Sequence, residues 1–417
     1  MKPPASGGRR VLVYVNQVYA DDYTGQGTFE RELISALRDR VRHEDGALLR
    51  VFTVRRPGAG DPYPASGTTT TLLLDKSRPL GYLMHQLRLL LALARTLLQH
   101  RRDEVTVFVR YAPSSFAAVA LATALRRRLV LRTGPALRDL NPHGKRLSRW
   151  MYALVRLGFR WNCRAAVRIV VVTEQARRSI SASFGFVYDK AVVIPNGATV
   201  ERFPERPRNR AAWGLKEDAF VLGFVGFLYE EQGLDTVLRA MARIERETGL
   251  APQLLVVGDG PCAERWQILA RELGVASRVV FSGQQPHPAI GSAIAACDVM
   301  LAPFTRRAIE TTGSSALKLF EYLACDKPVL AVRAPDHQFL ADWDVGWLVE
   351  PEDVDAWATA IRARMRAPAP DLGGRGRWLV HEHYSFEQVA ARVWSTCFNG
   401  ESSDRARSVG RIAEVDG

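Results

Sequence analysis

The sequence predicts an α/β chain made of two doubly wound parallel sheets in series, and three observations carry that expectation. Short β-branched runs alternate with longer helical patterns from end to end, the rhythm of parallel strands covered by helices on both faces. At 417 residues the chain has room for two domains, each with a core of its own. The net charge of +13 also changes sign along the chain: residues 1–205 hold 33 Lys+Arg against 16 Asp+Glu, and the remainder holds 24 against 28. The change falls at Pro195 to Pro207, where several prolines and Asn196-Gly197 read as a hinge rather than as core.

Taken in order, the first half should place strands at Val11–Val15, Arg50–Val54, Thr71–Leu74, Val105–Val109, Leu129–Thr133, Ile169–Thr173 and Ala191–Ile194. The second half should place them at Phe220–Val225, Leu254–Val257, Val279–Ser282, Val299–Ala302, Pro328–Val332 and Trp347–Val349. Residues 1–200 and 201–383 then form the two domains, and a terminal helix near 384–398, capped by Ser385, returns to the first. Residues 400–417 read as a polar tail.

Composition narrows the class. With 47% apolar and 24% charged residues the chain is an ordinary globular one. Its longest apolar run, Leu87 to Leu98, is interrupted by Arg88 and Arg95, too short and too charged for a spanning helix. The opening MKPPASGGRR passes straight into VLVYV without the apolar core of a secretory signal, so a cytoplasmic location is expected. Five dispersed cysteines with no Cys-x-x-Cys read as buried apolar residues. His381-x-His383 has no third ligand nearby and is not read as a metal site. The basic first half attracts anions in general, but its arginines are dispersed and no nucleic-acid module accompanies them, so nucleic acid is not an expected partner.

In open parallel sheets ligands bind at the carboxyl ends of strands, so motifs belong just after them, and two such domains facing each other make a cleft. Four stand there in the second half. Gly313-Ser314-Ser315 leads into Lys318 and Glu321 and reads as a helix start, where unpaired N–H groups seat a phosphate. Ser314, Lys318 and Glu321 share one helical face; an ordinary Lys–Glu surface pair is the equal alternative on spacing alone. Gly226 ends one strand and would let a diphosphate approach the backbone, with Gly233 opening the next helix. Gly258, before Asp259-Gly260-Pro261, serves a tight turn. Gly283, with Gln284, can present backbone groups to a base edge. In the first half Gly25-Gln26-Gly27 lacks the Gly-x-Gly-x-x-Gly spacing and the strand contact of a dinucleotide site. Arg110 stands at a strand end.

The order of these segments, from Ile194-Pro-Asn-Gly197 through GFVGFLYEEQGLD, LLVVGDGP, RVVFSGQQP, DVMLAPF, GSSALKLFEYLACDKPVLA and GWLVEPED, resembles the family-4 retaining glycosyltransferases of the GT-B fold. The likeness spans about residues 10–395 and is densest in the second half. It implies two Rossmann-like doubly wound domains facing a central cleft, and transfer of a sugar from a UDP- or GDP-linked donor to a hydroxyl of a glycan or lipid-linked acceptor in cell-surface polysaccharide synthesis. Glu321 then takes the ribose, Gly283 and Gln284 the base, Gly313, Ser314 and Ser315 with Gly226 and Gly258 the phosphates, and Lys318 the departing diphosphate. Gly25, Gly27 and Arg110 fall on the acceptor side.

The sequence also departs from the family. The acidic residue eight positions before the ribose-binding glutamate is Gly313, with Glu310 the nearest substitute. The usual arginine and lysine after the strand glycine are Phe227 and Gln232, leaving Lys318, Arg306 and Arg307 as replacement cations. Around Thr133-Gly134, where relatives often carry a histidine, stand Arg132 and Arg138, with His143 further along, and no acid or base is nominated. A non-catalytic nucleotide-sugar binder and a nucleotide-sugar epimerase of the same fold are the rival readings. No Asp-x-Asp stands in a suitable loop after a strand, so neither an essential metal nor a tightly bound cofactor is expected. Two leucine- and arginine-rich stretches, 82–102 and 145–168, make an anionic membrane surface a candidate partner, on the inner face of the plasma membrane.

Overall fold

In a computed structural model the described residues are 8–19, 25–57, 68–74, 79–111, 115–133, 149–313, 315–367 and 371–399. They fall into two units, residues 1–195 with 386–417, and residues 196–385.

Unit 1 runs β1 (Arg10–Tyr19), α1 (Gly25–Arg42), β2 (Ala47–Arg55), β3 (Thr69–Leu73), α2 (Pro79–Gln99), β4 (Glu104–Arg110), α3 (Phe116–Ala124), β5 (Arg128–Arg132), α4 (Arg149–Ala165), β6 (Arg168–Val171), α5 (Glu174–Ser183) and β7 (Ala191–Val193). Unit 2 runs β8 (Val221–Val225), α6 (Leu234–Thr248), β9 (Gln253–Val257), α7 (Ala263–Glu272), β10 (Val279–Phe281), α8 (His287–Ala295), β11 (Val299–Ala302), α9 (Arg306–Thr312), α10 (Leu317–Ala324), β12 (Val329–Val332), α11 (Phe339–Asp342), β13 (Gly346–Val349), α12 (Val354–Arg366) and α13 (Arg375–Leu379). Every one of the thirteen expected strands is present. The last described helix, α14 (Phe386–Phe398), belongs to unit 1.

Both sheets are parallel throughout, in the orders β3-β2-β1-β4-β5-β6-β7 and β10-β9-β8-β11-β12-β13. Strands buried on both faces read as unbroken apolar runs, and VLVYV and VMLA are of that kind. In each order the chain reverses direction beside the first strand, between β1 and β4 and between β8 and β11. These are the switch points where an open α/β sheet leaves a crevice at its carboxyl edge.

The terminal helix is bound into unit 1 by packing and by polar contacts. It lies along α1, Phe386 meets Phe29 edge to face, and the Trp394 indole N–H donates to Glu44. The Thr106 hydroxyl of β4 donates to the Cys397 carbonyl, 291 residues on.

Candidate functional site

The switch point of unit 2 is built around Lys318. Helix α10 is pinned to the end of β8 by the Tyr322 hydroxyl, which accepts from the Val225 N–H at 2.9 Å and donates to the Val225 carbonyl at 3.2 Å. That anchor turns the preceding helical turn inward, so Lys318 is buried instead of forming a surface pair with Glu321. Its ammonium donates to the Gln232 side-chain carbonyl at 2.5 Å and lies 4.0 Å from the ring centre of Phe224 and 5.2 Å from that of Phe304. Burial among these groups pulls the Lys318 pKa from its ordinary 10.5 down to about 7, against the pull of Glu321 in the other direction. Thr305 N–H donates to the Glu231 carbonyl, tying the loop after β11 to the loop after β8 around the ammonium.

Glycine makes this niche possible. Gly226 ends β8 at φ +152, and a Cβ there would stand 2.9 Å from the Lys318 Nζ. The space expected to admit a diphosphate to bare backbone therefore holds the lysine head group itself. Gly258, at the end of β9, has φ +138, and a Cβ there would meet the Gly226 carbonyl oxygen at 1.9 Å. Its N–H donates to the Gly283 carbonyl at the end of β10. Gly226 N–H donates to the Val257 carbonyl, so the three glycines stand in a row along the carboxyl edge of the sheet.

Glu321, a turn beyond Lys318, stands 3.5 Å from Nε2 of His287 at the start of α8. The Glu321 carboxylate and the segment after Gly283 and the exposed Gln284 are thus neighbours. Ser315 is held by the first residue of unit 2: the Asn196 N–H donates to its Oγ at 2.8 Å, and the Asn196 side-chain amide donates to its carbonyl.

Several expectations need correction. Gly313 does not open the lysine-bearing helix; it caps the end of α9 at φ +64, and α10 begins at Leu317 with Ala316 as its cap. The reason is that Thr305 caps a separate short helix over 306–312, its side chain accepting from Ala308 N–H. Ser314, placed on the helical face with Lys318, lies outside the described residues. Arg306 donates from its backbone to Glu352 and from its guanidinium to the Pro351 carbonyl at 3.5 Å, which turns it to that neighbouring turn. Glu310 and Arg307 are exposed on α9. Phe227, where an arginine is usual, is 54% exposed beside Tyr229.

In unit 1, Arg110 ends β4 and is the register partner of Arg132 at the end of β5. Both guanidinium groups bind the same oxygen of Glu30 on α1, at 2.5 and 2.8 Å, and the Tyr14 hydroxyl of β1 donates to the other oxygen. Gly25 is the exposed first residue of α1, and Gly27 is buried in its first turn. Gly134, Arg138 and His143 lie outside the described residues.

Residues 24–197 match the family described as "Glycosyl transferase 4-like domain", and residues 219–366 match "Glycosyl transferases group 1". The chain belongs to the family-4 glycosyltransferases of the GT-B fold.

Among curated members, it is 35% identical over 210 residues to a D-inositol 3-phosphate glycosyltransferase of Stackebrandtia nassauensis, 46% of each chain. It is 29% identical over 290 residues to the GDP-mannose-dependent alpha-(1-6)-phosphatidylinositol monomannoside mannosyltransferase of Mycolicibacterium smegmatis, 66% of this chain and 73% of that protein. The match thus spans less than half the length of the first of these. The fold is shared with sucrose-phosphate synthase from Thermosynechococcus elongatus, at TM-score 0.71 and 21% identity over 94% of this chain and all of that one. It is shared too with Anabaena HepE in complex with UDP, at TM-score 0.63 and 15% identity over 93% and 99%.

Three residues of this glycosyltransferase escaped the sequence reading. Gln232 stood out only as a missing lysine, yet it is the hydrogen-bond partner of Lys318. His287 follows a proline at a helix start and carries no motif. Asn196 was read as hinge punctuation, although an asparagine two residues before a described bridge to Ser385 had a side chain to spend on Ser315.

Proposed function

We propose that the chain is a retaining transferase that moves a sugar from a UDP- or GDP-linked donor to a hydroxyl of a glycan or lipid-linked acceptor, in cell-surface polysaccharide synthesis. The observation that carries this reading is Lys318, an ammonium held in an apolar niche at the β8/β11 switch point. A cation there, out of water, acts on a developing diphosphate charge far more strongly than a solvated one would. Glu321 accepts the two ribose hydroxyls, Ser315 and the backbone near Gly313 hold the phosphates, and Gly283 and Gln284 lie by the base. The acceptor attacks from the face the diphosphate leaves, and the leaving phosphate takes the acceptor proton. No protein nucleophile is then required.

The site also suits a membrane-bound acceptor. Helices α2, α3 and α4 neighbour one another in unit 1, and their sequences contain no aspartate or glutamate. Among the described residues most of their exposed side chains are apolar or cationic, with Leu83, Leu87, Leu91, Leu157 and Trp161 beside Arg88, Arg95, Arg156 and Arg160, and the exposed Gln99 and Thr123 are uncharged. This pattern fits the interfacial zone of an anionic bilayer. Among the described residues no helix is long and apolar enough to cross a membrane, so the contact would be peripheral.

Thermal shift against UDP, GDP and their sugars tests the reading. A ligand at 100 times its dissociation constant adds about 2.7 kcal/mol of stability. A rise with one nucleotide, followed by release of that nucleotide only when acceptor is added, is the expected outcome. No shift across the panel overturns the enzymatic reading, and binding without any transfer makes the chain a nucleotide-sugar binder.

A further inference from the structure

Lys318 and Glu321 lie three residues apart on α10, a spacing at which opposite charges ordinarily pair on a helix. Such a pair would spend both groups on each other. The structure instead gives each a partner from elsewhere in unit 2. The ammonium goes to Gln232 in the loop after β8, and the carboxylate faces Nε2 of His287 at 3.5 Å. Two charges that a nucleotide would need separately are thereby kept apart.

His287 is fixed where it faces that carboxylate. It opens α8 between Pro286 and Pro288, whose rings lock φ on either side of it and leave the first turn little freedom. The buried Phe203 meets its imidazole edge to face, with ring centres 5.8 Å apart. Arg377 of α13 ties the two sides of the contact together. Its guanidinium donates to the carbonyl of Phe203, which props the imidazole, and to that of Ala324, which ends the helix carrying Glu321. The Nε2 atom is enclosed and makes no hydrogen bond among the described residues, so the Glu321 carboxylate is the acceptor that the structure offers it. Beside a carboxylate, which only accepts, Nε2 is the nitrogen that carries the proton. At 3.5 Å the contact is longer than a formed hydrogen bond, so the N–H orients the carboxylate without saturating it. A carboxylate offers about four lone-pair sites, which leaves room for both hydroxyls of a vicinal diol.

We infer that His287 is the positioning residue of Glu321: it keeps the carboxylate from pairing with Lys318 and open to a diol, and so sets how strongly the site prefers a ribonucleotide to one without those hydroxyls. Gln232 does the same for Lys318, and the two uncharged side chains divide one helical ion pair into two binding groups. The inference deepens the transferase reading and rests on its placing of the ribose at Glu321.

Isothermal titration of the full chain with UDP and GDP, each beside its 2′,3′-dideoxy form, tests it. The nucleotide that binds should do so about 100-fold more tightly than its dideoxy form, the scale of hydrogen bonds to a charged group. His287→Phe keeps a ring against Phe203 but removes the N–H; it should cut that preference about tenfold with a melting temperature near that of the wild type. His287→Gln, whose amide carries an N–H at similar reach, should restore most of the preference. A merely structural histidine would change the melting temperature and leave the preference alone. An unchanged preference in His287→Phe, an equal loss for both forms of the nucleotide, or no recovery in His287→Gln overturns the inference. Wild-type chain that binds a nucleotide with no preference for the ribose form also overturns it, whereas binding of neither UDP nor GDP overturns the transferase reading beneath it, so the two failures are told apart.

Discussion

The ammonium of Lys318 and the side-chain carbonyl of Gln232 are 2.5 Å apart, although 86 residues separate them in the chain. Where the family resemblance leads one to expect a cation in the loop after β8, an uncharged acceptor stands, and a lysine from α10 reaches across to it. Gln232 positions the charge that it does not itself supply.

Replacing Lys318 by methionine keeps the length of the side chain and removes its charge. Turnover should fall about 10²- to 10³-fold, the range for losing one preorganised charge contact in a transition state. The melting temperature should hold or rise, because an ammonium no longer has to be kept out of water. Steady-state kinetics with parallel melts checks both; unchanged turnover would remove Lys318 from the mechanism.

Acidity should act on stability and donor affinity in opposite directions. Because the Lys318 pKa falls from 10.5 to about 7 on folding, the folded chain binds fewer protons than the unfolded chain between those values. Stability from this group therefore climbs as pH rises through that window and is lost as pH falls through about 7. A diphosphate selects the ammonium form, so donor affinity weakens above about pH 7, by up to about tenfold per pH unit. Titrations of the wild type and Lys318→Met should differ in both slopes, and equal slopes would contradict the assignment.

Alanine at Gly258 should cost more than alanine at Gly226. The first puts a methyl group against the Gly226 carbonyl, which is backbone, whereas the second meets the end of a lysine that can retract. Both also impose a φ that L residues avoid, at about 1–3 kcal/mol. Urea unfolding should show the larger loss for Gly258→Ala, and Gly226→Ala should lose donor affinity beyond its loss of stability.

Removing the charge of Glu30 takes a shared carboxylate from two guanidinium groups in the interior of unit 1. Glu30→Gln should destabilise by about 3–5 kcal/mol, the usual result of breaking a buried ion pair from one side. A loss under about 1 kcal/mol, typical of exposed pairs, would mean the cluster is solvated in the free protein.

Membrane contact is testable without knowing the acceptor. Binding to phosphatidylglycerol vesicles should fall with added salt and should be lost in the double variant Leu83→Glu, Leu157→Glu, whose thermal melt stays near wild type because both leucines are exposed. Equal binding by the double variant would assign the face to something else.

The sheets were legible because a buried parallel strand has to be apolar for its whole length, and VLVYV, LLVV and VMLA leave no other reading. The donor side was legible in part. Gly226, Gly258 and Gly283 each follow a strand, and strand order brings them into a row. What the spacing could not tell was which way Lys318 points, since that depends on Tyr322 gripping β8. Nor could it separate α9 from α10, because Gly313 reads equally well as the end of one helix and the approach to the next. Of the Glu30 cluster only Arg110, at its strand end, was singled out as a site residue; that the cluster forms was out of reach, because its members come from β1, α1, β4 and β5 and share no motif.

The helix that completes unit 1 is the last one described. Residues 196–385 form a continuous stretch and can fold as soon as they emerge from the ribosome, whereas β1, β4 and α1 wait for Phe386, Trp394 and Cys397. The first half synthesised is therefore the last to be finished. A nonsense mutation near residue 385 would leave unit 2 intact and its partner open along the face that α14 covers, a ready substrate for chaperones and proteases.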